Sequence, residues 1–136
     1  MTASDPATSV AVYDTTVTQV GNQVEAFLAH GMLIFFGAGA PEELHDMSVL
    51  HEATLAEDGP RPGDALHLGE TVLEVLAVGE VVRDNLLNLG HLDLKADGKT
   101  AASLPGDVCV RVGDLPVLRA GDRFRITRPS PQDDEE

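Results

Sequence analysis

Pro105-Gly106-Asp107-Val108-Cys109-Val110-Arg111-Val112 reads as a turn that opens a strand. Proline and glycine reverse the chain, aspartate bonds the turn's own backbone, and a β-branched run follows. The opening recurs at Pro62-Gly63-Asp64 before Ala65-Leu66-His67-Leu68, and at Ala120-Gly121-Asp122 before Arg123-Phe124-Arg125-Ile126-Thr127. In the last segment Phe124 and Ile126 alternate with Arg123 and Arg125, giving one apolar face and one wet face. Outward from these strands, short apolar segments are broken by Gly or Pro at roughly ten-residue intervals, the spacing of a sandwich or barrel. Val10–Val20, Met32–Phe36, Val49–Leu55, Thr71–Val78 and Leu92–Leu94 read as further strands. Helical spacing is confined to short pieces. Val24, Phe27 and Leu28 make one turn; Pro41–Met47 begins with proline and acids; Glu80–Leu89 places Val81, Leu86 and Leu89 on one face, with Gly90 as its C-cap. The pattern predicts an all-β (mainly β) domain over residues 10–128, a small β-barrel or sandwich with one or two short helices. The polar stretches 1–9 and 129–136 read as flexible tails.

Composition narrows the function. At 136 residues, with 43% hydrophobic and 4% aromatic residues, the chain suits one domain with a core mainly of Val, Leu and Ala. Its 23 acidic residues against nine basic ones give a net charge of −14. No Lys/Arg cluster is present, which argues against nucleic acid and favours either plain solubility or a basic protein partner. The longest apolar run, Met32–Phe36, is far too short to span a bilayer, and MTASDPATS has neither the basic nor the apolar region of a secretory signal. A single cysteine, Cys109, excludes an internal disulfide and fits a reducing, cytoplasmic setting.

Nucleotide and hydrolase signatures are missing: there is no Walker loop, no strand-turn-helix GxGxxG, no GxSxG and no CxxC. Five histidines remain: His30, His45, His51, His67 and His91. A neutral imidazole is a nucleophile near pH 7, and it can accept a phosphoryl group when its other nitrogen donates to a carbonyl. His51 follows Val49-Leu50 in a predicted strand, where a ring is held more firmly than on a loop. Strand alternation turns the neighbouring Glu52 away from it. A metal reading competes: His51, His67 and His91 lie on or beside different predicted strands and, with Glu52, could converge as in a cupin. Against it stands Ala53, where a cupin-like HxH pair would need histidine. Cys109 reads as a small buried hydrophobe, and His30 and His45 as surface residues.

An ordered series of segments then carries a resemblance. It runs through Thr15-Thr-Val-Thr-Gln-Val-Gly21, Met32-Leu-Ile-Phe-Phe36, Gly39-Ala-Pro41, Val49-Leu-His51 and Pro62-Gly63. It continues through Ala77-Val-Gly79, Asp84-Asn-Leu-Leu-Asn-Leu-Gly-His91, Ala96-Asp-Gly98 and Leu104-Pro-Gly106. Over residues 11–127 the chain resembles the glucitol/sorbitol-specific enzyme IIA family of the bacterial sugar phosphotransferase system. That resemblance implies a phosphoryl carrier with no cofactor of its own. It would accept phosphate from phospho-HPr on a histidine, and pass it to a cysteine of enzyme IIB for sugar-alcohol uptake. Contact with the membrane would be indirect, through enzymes IIB and IIC. The family's phosphorylated histidine falls on His51, and the group is expected on the ring nitrogen remote from the backbone. His91 matches a family histidine that either meets the phosphoryl group or caps the preceding helix. Ala53 departs from members with histidine there, which leaves open a non-catalytic binding or regulatory module.

Overall fold

The three Gly-Asp turns close alike. Asp64, Asp107 and Asp122 each donate their backbone N–H to the carbonyl three residues earlier, at 3.0, 3.1 and 3.0 Å. Each carboxylate accepts the N–H of that same earlier residue: Arg61 at 2.9 Å, Leu104 at 3.2 Å and Arg119 at 2.8 Å. Gly63 and Gly121 take φ of 95° and 98°, a conformation that favours glycine, whereas the turn at Gly106 has the same bonds without a positive φ. The expected turn chemistry is therefore present three times.

In the computed structural model, which describes residues 9–129, these turns deliver three of eight strands. The strands are β1 (Ser9–Val20), β2 (Met32–Gly37), β3 (Val49–Ala56), β4 (Ala65–Leu68), β5 (Thr71–Val78), β6 (Leu92–Lys95), β7 (Asp107–Val110) and β8 (Arg123–Pro129). A short helix α1 (Val24–Leu28) follows β1, and α2 (Val82–Leu89) lies between β5 and β6. The sheet closes in the order β1-β3-β2-β6-β7-β5-β4-β8, with β8 returning to β1. The choice between barrel and sandwich thus resolves to a closed barrel, which leaves no edge strand. Two neighbouring pairs, β2–β3 and β6–β7, are parallel and the rest antiparallel. Among the described residues no helix is long and apolar enough to cross a membrane. The expected tails lie outside the described residues except for Ser9 and Pro129, which pair across β1 and β8.

Some local expectations change. The helix expected over Pro41–Met47 is only a 3-10 turn at Glu42–Leu44. The chain there must re-enter the sheet at Val49, and the carbonyls of His45 and Asp46 pack so closely on Gly21 that a Cβ would lie 2.2 Å from each. In α2 the buried residues are Val82 and Leu86, one turn apart; Val81 and Leu89 are exposed. The strand expected to run to Val112 ends at Val110, leaving Val112 77% exposed. The interior is built from Val and Leu around Tyr13, Phe35 and Phe124, with Phe35 stacked on Phe124 at 4.7 Å; among the described residues Ala77 is the one buried alanine.

Two charged clusters secure the wall. Arg128 on β8 bonds Asp58 at 2.7 Å and Asp64 at 2.8 Å, while Arg83 of α2 bonds Asp58 at 2.7 Å. Burial alone would raise the Asp58 carboxyl, but bonds from Arg128, Arg83 and the Gly59 N–H outweigh it and hold the group below the usual carboxylate range. On the opposite wall Asp107 is fully buried, with Lys95 Nζ at 2.9 Å from Oδ2 and no partner on Oδ1 among the described residues. Removing a cation from a buried pair strands the anion. Lys95→Met is accordingly expected to lower unfolding free energy by roughly 2–3 kcal/mol, discounted for the partial exposure of Lys95, as read by urea denaturation.

Candidate functional site

His51 sits on β3 two residues from Val49 and shares its inward face, so its ring enters the barrel rather than the solvent; it is 2% exposed. Tyr13, Phe35 and Phe124 meet the ring edge-on, at centroid distances of 6.2, 6.0 and 5.8 Å. Glu52, the next residue, is exposed on the outer face, as alternation predicts.

Both ring nitrogens are engaged. Nε2 lies 2.8 Å from the carbonyl oxygen of Gly90, and Nδ1 lies 2.8 Å from Oγ1 of Thr15. A carbonyl can only accept, so Nε2 bears the hydrogen and donates it; Nδ1 keeps its lone pair and accepts from the Thr15 hydroxyl. Burial lowers the His51 pKa below its ordinary value, and the bond to Gly90 only partly opposes that. The neutral form should persist as pH falls through 6.5, where an ordinary histidine is half protonated. The sign follows. The unfolded chain takes up the proton first, so the ring's contribution to stability is complete above pH 6.5 and shrinks as pH falls towards the lowered native value. A histidine-resolved NMR titration should find His51 titrating below the ordinary histidine value of about 6.5.

Gly90 aims the carbonyl. It follows α2 at φ 67°, the left-handed C-cap conformation expected of it. Its N–H donates to Leu86 O at 2.9 Å, and the His91 N–H donates to Asn85 O at 3.2 Å. A Cβ at residue 90 would lie 2.5 Å from Gly37 N and 3.2 Å from His51 Cε1, so only glycine fits between β2 and the ring. Sequence reasoning identified Gly90 as a cap but not as the partner of His51. It also read Thr15 merely as a β-branched strand residue. The separations from His51, 39 and 36 residues, give no local signal for either bond.

Beside the ring lies a pocket of about 590 Å³. Tyr13, Phe36, Gly37, Ala53, Gly90 and leucines of α2 line it, and no charged side chain lines it among the described residues. Ala53 lines this pocket and brings no imidazole to the vicinity of His51. Burial pushes the Tyr13 phenol up to about 12, keeping its hydroxyl a donor at neutral pH.

The other histidines lie apart. The His91 ring stacks on Phe36 at 4.2 Å and bonds Asp93 at 3.1 Å, so it backs the pocket wall rather than meeting the His51 ring; the cap is made by its backbone. His67 pairs with Thr127 at 2.9 Å. His45, expected at the surface, is half-buried and donates to Ala40 O at 2.8 Å. The convergence of His51, His67, His91 and Glu52 required by the metal reading does not occur; no group of three possible ligands is gathered among the described residues. Cys109 is fully buried, and burial together with Asp97 pushes its thiol up to about 11, as suits an inert core residue.

The barrel matches the crystal structure of a PTS system IIA component from Enterococcus faecalis V583, with TM-score 0.69 over 82% of this chain and 96% of that one. At 23% identity that match establishes a shared fold. The family model described as "PTS system glucitol/sorbitol-specific IIA component" matches residues 12–125. The glucitol/sorbitol-specific EIIA components of Shigella flexneri and Escherichia coli (strain K12) are each 38% identical over 105 residues, covering 77% of this chain and 85% of theirs. The chain belongs to the glucitol/sorbitol-specific IIA component family and is a phosphoryl carrier of the phosphotransferase system.

Proposed function

We propose that His51 carries the phosphoryl group, accepting it from phospho-HPr and passing it to a cysteine of enzyme IIB in uptake of a glucitol/sorbitol-type sugar alcohol. One observation carries this reading: His51 joins a neutral ring of defined tautomer to the wall of an uncharged pocket large enough for a phosphoryl group. A neutral ring attacks phosphorus without first losing a proton, and rigid holding supplies the orientation that phosphoryl transfer chiefly needs. The uncharged lining also suits a carrier. Neutral donors such as the Tyr13 hydroxyl position the phosphoryl oxygens, while a cluster of arginines would stabilise the phosphohistidine and slow its onward transfer.

His91 supports the site at one remove, holding Phe36 against the pocket. The net charge of −14 favours approach by the basic face of HPr, and the working compartment is the cytoplasm. No cofactor takes part. The test is reconstitution: phosphoenolpyruvate, enzyme I and HPr should add one phosphoryl group to the protein, read by intact mass at alkaline pH. Added enzyme IIB should then discharge it. A protein that stays unlabelled would leave the fold with a binding role instead.

A further inference from the structure

We infer that the phosphoryl group is taken by Nδ1 of His51 and that Thr15 is the positioning residue for this transfer. The inference rests on His51 being the acceptor, and reverses the expectation that the nitrogen remote from the backbone reacts. Nε2 faces an oxygen that has no hydrogen to give, so that nitrogen's hydrogen occupies the contact and leaves it no free lone pair. The lone pair of the neutral ring is on Nδ1, 2.8 Å from the Thr15 hydroxyl oxygen.

The local sheet is shaped for this. Bulges interrupt the β1–β3 ladder between Asp14 and Thr15 and between Val17 and Gln19, bracketing Thr15. Bulges of this kind re-aim side chains beside active sites. Thr15 pairs across the ladder with Ala53, and both Ala53 and Tyr13 line the pocket. The room an incoming phosphoryl group needs is therefore lined in part by two neighbours of Thr15, one on its own strand and one across the ladder. Thr15 itself is fully buried, so its hydroxyl has few competitors for Nδ1.

The step balances without a base. The Nδ1 lone pair forms the new N–P bond as the donor's N–P bond breaks, and that electron pair returns to the donor's ring. No proton leaves His51. Its hydrogen stays on Nε2, the ring becomes cationic, and the bond to the Gly90 carbonyl becomes charge-assisted. The Thr15 hydroxyl swings off the Nδ1 lone pair as phosphorus approaches and donates instead to a phosphoryl oxygen, returning to Nδ1 when the group departs.

The experiment uses the full chain with ¹⁵N-labelled histidine. Before phosphorylation, long-range ¹H–¹⁵N spectra should show His51 as the Nε2–H tautomer; a hydrogen on Nδ1 would overturn the inference whatever the protein's activity. After phosphorylation by enzyme I and HPr, ³¹P–¹⁵N coupling should fall on Nδ1. Coupling to Nε2 would overturn this inference while leaving His51 as acceptor, and phosphate on another residue would overturn both. Thr15→Val, which keeps the side-chain shape, should shift the Nδ1 resonance and slow phosphoryl acceptance by about tenfold at unchanged apparent affinity for phospho-HPr, the worth of about one hydrogen bond. Thr15→Ser should restore both. Equal rates and an unmoved Nδ1 resonance in Thr15→Val would remove Thr15 from the mechanism.

Discussion

His51→Gln is expected to lose phosphoryl acceptance by at least about a thousandfold while the barrel still folds, because the reacting atom itself is gone. Glutamine is the informative replacement. Its amide can donate to the Gly90 carbonyl and accept from the Thr15 hydroxyl, so both buried partners stay satisfied. His51→Ala should be equally inactive but also unstable. It empties the space among Tyr13, Phe35 and Phe124 and orphans two polar groups, at a cost of about 2–4 kcal/mol. Comparing the two separates chemistry from folding. Incubation with phosphoenolpyruvate, enzyme I and HPr, read by intact mass, decides it: a phosphoryl group on folded His51→Gln would sink the acceptor assignment.

The second large effect belongs to a residue with no side chain. Gly90→Ala would place a methyl 2.5 Å from the backbone nitrogen of Gly37 and 2.8 Å from its Cα, where no flexible atom can yield. The left-handed φ of 67° adds about 1 kcal/mol and the overpacking about 1–3 kcal/mol more. To relieve the clash the turn after α2 must retreat, carrying its carbonyl off Nε2. Phosphoryl acceptance should then fall tenfold or more even at temperatures where the variant stays folded. Gly63→Ala is the control. It shares a positive φ, 95°, but its Cβ would meet nothing within 4 Å, so it should cost only the backbone strain and leave transfer untouched. If Gly90→Ala matched Gly63→Ala in both stability and rate, the Gly90 carbonyl would have no special part in the site.

The contrast between these two glycines marks the reach of sequence reading. Both were recognisable as turn or cap glycines from their neighbours, since a C-cap and a Gly-Asp turn are local devices. What distinguishes them is the surroundings of the Cβ each lacks, and for Gly90 those come from β2 and β3. The same holds for the histidines. His51 could be singled out by its strand position and by the family pattern. That its ring points inward among three aromatics, while the His91 ring stacks on Phe36, depends on how the strands curl.

Sequence alone determined the strands, because alternation, β-branched runs and Gly-Asp turns act over a few residues and recur here through the chain. It also determined the family, because an ordered set of motifs survives without coordinates. Tertiary structure decided the closed strand order, the parallel neighbours β2–β3 and β6–β7, and the two bonds that orient His51. Those bonds join residues 36 and 39 positions apart. Local preferences hold no information about such pairs; the geometry exists only once the barrel closes and brings β1, β3 and the turn after α2 to the same ring.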